Sequence, residues 1–302
     1  MRTSTSFTVK AIIAAMAMGA ASAQATIVVD FNDFTSPVGL TLQGNAATAV
    51  TGDGTVLRLT PAAAGLSGAA YSTTAITLGA SDIFSASFDF RLSNPGGWDP
   101  ADGFTFVLAK NPTGLGGSGV GKGYSGVLNS VAIEFDTYNN TGYGLGNDDG
   151  NSSNHVSVDT NGVLANLSIT NVYGNGSCGF PSGGTPNQND YTVAGCMNNG
   201  NLWTASIGYD GTALTVTLKD PGKGIVFTAI DHYAIDIASI LGTNQAYVGF
   251  TAATGAGWKN HDIVNWHFAD TTELLVDVPE PGTLALLGLG LAGLAWSRRK
   301  RR

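Results

Sequence analysis

The sequence has few charged residues and few helix-forming patterns. Charged residues make up 12% of its 302 residues, whereas 43% are hydrophobic. A chain this apolar and this weakly charged is not expected to be disordered. Amphipathic runs with helical spacing are scarce between the two ends, and only two glutamates, Glu134 and Glu273, occur in the body of the chain, residues 24–278.

Positive charge is also scarce in the body. Seven of the 14 Lys and Arg residues, but only one of the 22 acidic residues, lie before residue 24 or after residue 278. The body therefore has 7 basic and 21 acidic residues, a net charge of −14. A surface of this charge repels a phosphate backbone, which argues against nucleic acid as a partner. Bound divalent cations would neutralise part of the excess.

The remaining pattern is rich in β-forming residues. Short stretches of Val, Ile, Thr and Phe are broken by Asn, Pro and the 42 glycines. Phe84–Leu92, FSASFDFRL, alternates apolar and polar residues, which predicts a strand with its phenylalanines, Ala86 and Leu92 in the core. The whole pattern indicates one all-β domain, a sandwich or barrel, over residues 24–274.

The first 23 residues have the features of a secretory signal peptide. Arg2 and Lys10 give a positive start, residues 11–20 are apolar, and residues 21–23 read Ala-Ser-Ala, a small-x-small cleavage site. An N-terminal membrane helix is the alternative, but the apolar run is too short to span a bilayer. We therefore expect export and a mature chain that begins at Gln24.

Residues 275–302 are predicted to form a second targeting segment. Residues 279–281 read Pro-Glu-Pro, residues 283–296 are largely apolar, and residues 298–302 are all basic. The apolar run is marginal for a span of about 30 Å, and the basic end would stay cytoplasmic. This order resembles the PEP-CTERM sorting signal of exopolysaccharide-producing Gram-negative bacteria, in which an exosortase-like membrane protease removes the tail. A plain membrane anchor is the alternative.

Residues 130–155, SVAIEFDTYNNTGYGLGNDDGNSSNH, combine a strand with a polar loop. The alternation over residues 131–138 predicts a half-buried strand with Glu134 and Asp136 on one face, roughly 7 Å apart. Two carboxylates repel each other there, and a cation would remove the conflict. Further ligands follow in the sequence: the Tyr138 carbonyl, Asn140, Asp148, Asp149 and His155. Such oxygen ligands suit Ca²⁺, and carboxylates with an imidazole suit Mn²⁺ or a similar transition ion. The alternative is a set of ordinary Asx turns with a surface histidine.

Cys178 and Cys196 are the only cysteines and enclose a loop rich in Gly, Pro and Asn. In an exported protein this arrangement favours a disulfide. Metal or catalytic roles for these cysteines lack partners in the sequence.

The motif EFDTY-x-N, the Asp-containing loop and His-Val-x-Val-Asp resemble the legume-type (L-type) lectins, in particular their bacterial members. The resemblance implies a jelly-roll sandwich of two antiparallel sheets and a Ca²⁺/Mn²⁺ pair. It assigns the ions to these residues: Glu134, Asp136, the Tyr138 carbonyl, Asn140, a loop Asp and His155. The family's loop Asp lies five residues before the His, where this chain has Gly150, so the bridging ligand is Asp149 or Asp148.

The resemblance also implies a sugar site. Asp102, which on its residues alone is predicted to be a turn residue, would accept sugar hydroxyl groups and be joined to Ala101 by a cis peptide. The glycine-rich loop 114–126, which lacks a P-loop ending, would supply an amide donor at Gly121 or, as the second choice, Gly119. Asn140 would bind both Ca²⁺ and sugar. Specificity would lie in residues 96–102, 119–123 and 255–262.

Trp258 lies in the last of these segments. It either stacks on a sugar face or covers the loop as a hydrophobic cap.

These observations favour an exported carbohydrate-binding protein that is not an enzyme. The expected partners are glycans or exopolysaccharide, and the expected place is a transient inner-membrane anchor, then the cell surface or extracellular matrix. A homo-oligomer is compatible with this function, because multivalency raises the avidity of a lectin. The alternatives are a glycan hydrolase on a related jelly-roll fold and a metal-stabilised structural surface protein.

Overall fold

The computed structural model describes residues 27–78, 83–141, 150–180 and 189–271. The predicted signal peptide, the predicted sorting segment from residue 275 onward, and the two loop aspartates Asp148 and Asp149 lie outside these ranges. Within them, no helix combines the length and the apolar character needed to cross a membrane.

The described residues form an almost entirely β structure. In chain order the strands are β1 Ile27–Phe31, β2 Leu40–Gly44, β3 Ala47–Thr51, β4 Gly54–Thr60, β5 Ser67–Ser72, β6 Ile76–Thr77, β7 Phe84–Gly97, β8 Gly103–Ala109, β9 Ser130–Asp136, β10 His155–Thr160, β11 Ile169–Asn171, β12 Cys178–Gly179, β13 Asn189–Asp190, β14 Leu202–Tyr209, β15 Ala213–Asp220, β16 Ile225–Ala234, β17 Gln245–Ala253 and β18 Gly257–Ala269. One short helix, α1 Ile237–Leu241, precedes β17, and single 3₁₀ turns occur at Gly119–Gly121, Val172–Gly174 and Pro221–Lys223.

Two antiparallel sheets, each of eight strands in the described ranges, face each other. The front sheet has the order β11-β10-β9-β8-β17-β5-β2, with β6 beside β17. The back sheet has the order β16-β15-β14-β7-β18-β4-β3, with β1 beside β18. The predicted all-β sandwich of two antiparallel sheets is therefore confirmed.

The core between the sheets is rich in aromatic side chains. In β7 the predicted inward residues Phe84, Ala86, Phe88, Phe90 and Leu92 are all at most 1% exposed. The ring of Phe88 packs against rings from the front sheet, with a centroid distance of 4.9 Å to Phe250. The prediction for this strand is confirmed, and the strand continues to Gly97.

The strand β9 differs from its prediction because both of its faces are buried. Val131, Ile133 and Phe135 belong to the main core. On the opposite face, Ala132 packs in a second apolar cluster with Tyr124. The glycine-rich loop after β8 folds over this outer face of the front sheet and contributes to the burial of Glu134 and Asp136.

The segment predicted as a loop at 255–262 is in fact largely strand. β18 begins at Gly257, which pairs with Gly97 of β7. Its polar residues are paired across the sheet: Asp262 binds the Arg58 guanidinium at 2.7 Å. The prediction was wrong from residue 257 onward, because the composition reads as a loop while pairing with a long neighbouring strand determines the backbone.

Candidate functional site

The pairing of β9 with β10 assembles the carboxylate cluster. Across this ladder His155 lies opposite Asp136, and Ser157 lies opposite Glu134. Single ligand atoms of Glu134, Asp136 and His155 lie within 4.8 Å of one another. Strand alternation places these side chains on one face, as predicted from the sequence.

The ammonium of Lys122 lies between the two carboxylates. Its Nζ is 2.8 Å from Oε1 of Glu134 and 2.6 Å from Oδ2 of Asp136. All three side chains are 0% exposed. The other carboxylate oxygens are also bonded: Ser157 Oγ donates to Glu134 Oε2 at 2.6 Å, and the Tyr138 amide donates to Asp136 Oδ1 at 2.6 Å.

Burial raises the pKa of both carboxyls and the charge of Lys122 lowers it, but the balance differs between Glu134 and Asp136. Burial disfavours the ionised form of Glu134, but the positive charges of Lys122 and His155 outweigh it and lower its pKa to about 2. Burial, reinforced by the charge of Glu134, outweighs Lys122 at Asp136 and raises its pKa to about 7. Glu134 is therefore ionised at neutral pH, whereas the Asp136 carboxyl holds its proton more tightly than an ordinary aspartate.

The imidazole of His155 closes one side of the cluster. Its Nε2 lies 3.9 Å from Asp136 Oδ2 and 3.2 Å from the amide oxygen of Asn166. Asn166 is itself held by its backbone amide, which donates to Asp159 Oδ1 at 2.8 Å. Burial and the charge of Glu134 raise the pKa of Asp159.

The bend after β9 carries the other predicted ligands. Asn140 is 6% exposed there. Asn139 Nδ2 donates to Asn151 Oδ1 at 3.2 Å, and the Asn151 amide donates to Thr141 Oγ1 at 3.3 Å. Asp148 and Asp149 lie outside the described residues, so their roles stay predictions.

The two implied cations fit these residues differently. The Tyr138 carbonyl and the Asn140 amide oxygen, at the bend after β9, are donors of the kind that suits Ca²⁺. The set of Glu134, Asp136 and His155 has the chemistry for a transition ion, but the ammonium of Lys122 takes both carboxylates. That set does not fit a second ion while Lys122 stays in place.

Asp102 lies at the start of β8, next to the end of β9. The Ala101–Asp102 peptide is cis, which confirms the expectation for this bond. The amide and the hydroxyl of Thr137 donate to the Asp102 carbonyl oxygen, and the Asp102 amide donates to the Ala253 carbonyl at 3.1 Å. The backbone of Asp102 is thus fixed from two neighbouring strands.

Three loops meet at the Asp102 carboxylate. A Cβ placed on Gly255 would lie 3.1 Å from Asp102 Oδ2, and one on Gly119 would lie 3.9 Å from it. Gly119 also donates its amide to the Thr254 carbonyl at 3.0 Å. The first-choice donor, Gly121, is buried, and its amide donates to Ser118. Of the two glycines, Gly119 lies nearer to the Asp102 carboxylate, but the amides of both already donate to backbone carbonyls. Which glycine donates to a sugar therefore stays a prediction.

A second buried lysine, Lys259, lies on the other side of this junction. Its Nζ donates to Thr137 Oγ1, and it is 1% exposed. Burial lowers its pKa to about 7, although the charges of Asp102, Asp136 and Asp99 oppose this shift. The site therefore holds two of the seven basic residues of the chain body.

Two tryptophans take different positions near the junction. Trp258, half-buried in β18, packs its ring on the backbone of Gly96 and Gly97, where an added Cβ would lie 2.5 and 2.6 Å from ring atoms. Trp98 is 68% exposed, and its amide donates to the Ala256 carbonyl at 3.3 Å. Trp98 is thus the more accessible aromatic surface beside the loop of Asp102.

The predicted disulfide between Cys178 and Cys196 is present, with a Cα–Cα distance of 5.8 Å. It is less isolated than its sequence suggests. Ser153 Oγ donates to the Cys178 carbonyl at 2.8 Å, two residues before His155. The Phe180 amide donates to Asp99 Oδ1 at 2.7 Å, in the loop before Asp102. The disulfide-bonded segment therefore contacts both halves of the site.

Sequence reasoning missed three contributors: Lys122, Lys259 and Thr137. Lys122 lay in the glycine-rich loop, and Lys259 lay in a segment predicted to be a loop. The usable signal was electrostatic, because carboxylates on a covered strand require positive charge, and the chain body offers only seven basic side chains.

Comparison with known proteins agrees with this fold. The family described as "Legume lectin beta-barrel domain" matches residues 29–266. The PEP-CTERM protein-sorting motif matches residues 277–300.

Among related sequences, favin of Vicia faba is 28% identical over 194 residues, which are 61% of this chain and 69% of favin. The lectin of Pisum sativum is 28% identical over 198 residues, 61% of this chain and 61% of that protein. The match thus spans less than two-thirds of the Pisum sativum lectin.

Solved structures show the same fold. The Bauhinia forficata lectin, in complex with GalNAc, has a TM-score of 0.60 at 23% identity, covering 82% of this chain and 98% of that chain. Basic winged bean lectin, solved with the Tn antigen, has a TM-score of 0.61 at 24% identity with the same coverage. The matched domain covers most of the sequence, and the chain therefore belongs to the legume lectin (L-type) domain family and carries a PEP-CTERM protein-sorting motif.

Proposed function

We propose that this protein is an exported, non-enzymatic carbohydrate-binding protein whose sugar site is built around Asp102. Its targets are cell-surface or exopolysaccharide glycans. The observation that carries the proposal is the junction at the Asp102 carboxylate, where two glycines bring backbone rather than side chains to the acceptor. A carboxylate can accept two hydroxyl groups, and its charge strengthens these bonds.

Asn140 supplies the second polar group of the proposed site. It follows β9 at the bend that Asp136 and Thr137 anchor, and it is almost fully buried. Ca²⁺ at this bend would hold the Asn140 oxygen and leave its amide nitrogen to donate to a sugar hydroxyl. The chain's own residues fix the bend even before an ion binds, because Thr137 ties it to Asp102.

Export is the second part of the proposal. The PEP-CTERM motif supports recognition by an exosortase-like protease and a passage through the inner membrane to the cell surface. Mass spectrometry of the protein isolated from its native cells tests this part. Intact Gln24 at the N-terminus and loss of the residues after Pro281 are expected. A retained basic tail would instead indicate a permanent anchor.

A glycan array tests the binding function. The purified protein is applied with Ca²⁺, with EDTA, and with EDTA followed by excess Ca²⁺. Binding is expected to disappear with EDTA and return with Ca²⁺. The Asp102→Asn variant keeps the size of the side chain and removes its charge, so we expect a loss of about 10- to 100-fold in affinity.

Asp231→Asn is the matched control, because Asp231 lies exposed in β16 of the back sheet. It should bind like the wild type. Binding to no glycan, or equal binding by the Asp102→Asn variant, would contradict the proposal. Release of new reducing ends from a bound polysaccharide would indicate a hydrolase instead.

A further inference from the structure

We propose that the ammonium of Lys122 permanently replaces the transition ion at the Glu134–Asp136–His155 cluster, so that this lectin domain uses no second metal. The inference rests on the proposed lectin function only for the expectation of a Ca²⁺/Mn²⁺ pair. It is argued from the chain's own contacts.

The first support is the position of the ammonium. Lys122 Nζ contacts both carboxylates at 2.8 and 2.6 Å, and none of the three side chains is exposed. An ion held by the same two oxygens, at the roughly 2 Å typical of metal–oxygen bonds, would have to lie where the ammonium is or directly against it. A divalent ion beside a buried ammonium is strongly repelled, because the low dielectric of the interior screens little.

The second support is the way the Lys122 backbone is fixed. Its amide donates to Gly119 at 2.9 Å, and its carbonyl accepts the Thr251 hydroxyl at 2.8 Å. A Cβ on the next residue, Gly123, would lie 2.8 Å from the Ala252 carbonyl, so the loop sits tightly against β17. Lys122 has φ of 50°, in the left-handed region that side chains rarely adopt. The fold therefore holds the Lys122 backbone in an unfavourable conformation, with its side chain directed into the cluster.

Metal binding by the wild-type protein is the direct test. The full protein is saturated with Ca²⁺, to fill the calcium place, and titrated with Mn²⁺ while the EPR signal of free Mn²⁺ is recorded. The signal should grow without a stoichiometric lag, and Mn²⁺ should leave the melting temperature unchanged. One tightly bound Mn²⁺ per chain in the wild type would overturn the proposal.

The variant Lys122→Met tests the role of the ammonium. Methionine keeps an unbranched apolar stem and removes the charge, so two buried carboxyls lose their cation. We expect this variant to bind Mn²⁺ and its melting temperature to rise with Mn²⁺ concentration. Lys219→Met, at an exposed position of β15, is the control and should behave like the wild type.

A folded Lys122→Met variant that binds Mn²⁺ no better than the wild type would also overturn the proposal, because Lys122 would not be what excludes the ion. If that variant does not fold, the wild-type titration decides alone. If the wild type binds no Mn²⁺ and Lys122→Met binds it, but no glycan is bound, the result counts against the lectin function and not against this inference.

Discussion

Thr137 donates two hydrogen bonds to the carbonyl oxygen of Asp102, from its amide at 3.0 Å and from its hydroxyl at 2.9 Å. The hydroxyl oxygen also accepts a bond from the buried Lys259 ammonium. One side chain therefore joins the end of β9, the proposed sugar ligand and a buried charge. Thr137 thus links the strand that carries Glu134 and Asp136 to the loop of Asp102.

Replacement of Thr137 tests this link. Thr137→Val keeps the shape of the side chain but removes the hydroxyl, which leaves Lys259 without this acceptor. We expect the free energy of unfolding to fall by about 1–3 kcal/mol and glycan affinity to fall with it, as measured by denaturant titration and calorimetry. Thr137→Ser keeps the hydroxyl and should bind like the wild type. Equal affinities of the Val and Ser variants would show that this link does not support glycan binding.

The two tryptophans near the site should respond differently to truncation. Trp98 is 68% exposed, so Trp98→Ala should change the free energy of unfolding by less than about 0.5 kcal/mol. If Trp98 stacks on bound sugar, its removal costs about 1 kcal/mol of binding, roughly fivefold in Kd.

Trp258→Ala is the matched comparison. The ring of Trp258 packs on Gly96 and Gly97, so its loss should lower the free energy of unfolding by about 2 kcal/mol. Stability and glycan affinity are measured for both variants. A Trp98→Ala variant with unchanged affinity for every bound glycan would remove Trp98 from the sugar site.

The disulfide should stabilise both the fold and the sugar loop. Its 18-residue separation corresponds to about 3 kcal/mol in the chain-entropy account. We expect the double variant Cys178→Ser, Cys196→Ser to lose about that much stability. Glycan affinity should also decrease, because Phe180 binds Asp99 in the loop before Asp102. Reductant should lower the free energy of unfolding of the wild type and leave that of the double variant unchanged. If reductant does not change the unfolding of the wild type, the bond does not contribute this stability.

Asp159 makes the stability of the protein depend on pH. Its ordinary pKa is 3.8, and burial together with the charge of Glu134 raises the pKa in the folded chain. Between the two pKa values the folded chain binds more protons than the unfolded chain. The free energy of unfolding therefore contains a contribution from Asp159 that falls as the pH rises from about 3.8.

Asp159→Asn should remove this contribution. The amide oxygen can still accept from the Asn166 backbone amide, and the amide nitrogen can donate to Glu134 as the protonated acid does. The stability gain over the wild type should therefore increase with pH and vanish in acid. Asp210 is the control: it lies at an exposed turn, and hydrogen bonds from Thr212 lower its pKa. The Asp210→Asn variant should therefore give no such gain. A pH-independent difference for Asp159→Asn would contradict this assignment.

The local patterns of the sequence predicted much of the fold correctly. The alternation in Phe84–Leu92 identified a core strand, and the spacing of Glu134 and Asp136 placed both on one face. The prediction failed where the backbone is determined by distant partners. Gly257–Asp262 has the composition of a loop, but pairing with β7 makes it strand.

The sequence by itself determined which residues alternate, which motif they form and that the body is short of positive charge. It did so because strand period and ligand chemistry are local properties. Only the tertiary structure decided that the Lys122 ammonium fills the carboxylate cluster and that Gly119, not Gly121, approaches Asp102. The covering loop packs against β17, which is far from it in the chain. Where the side chains of the loop meet those of the sheet therefore depends on this packing rather than on any spacing in the sequence.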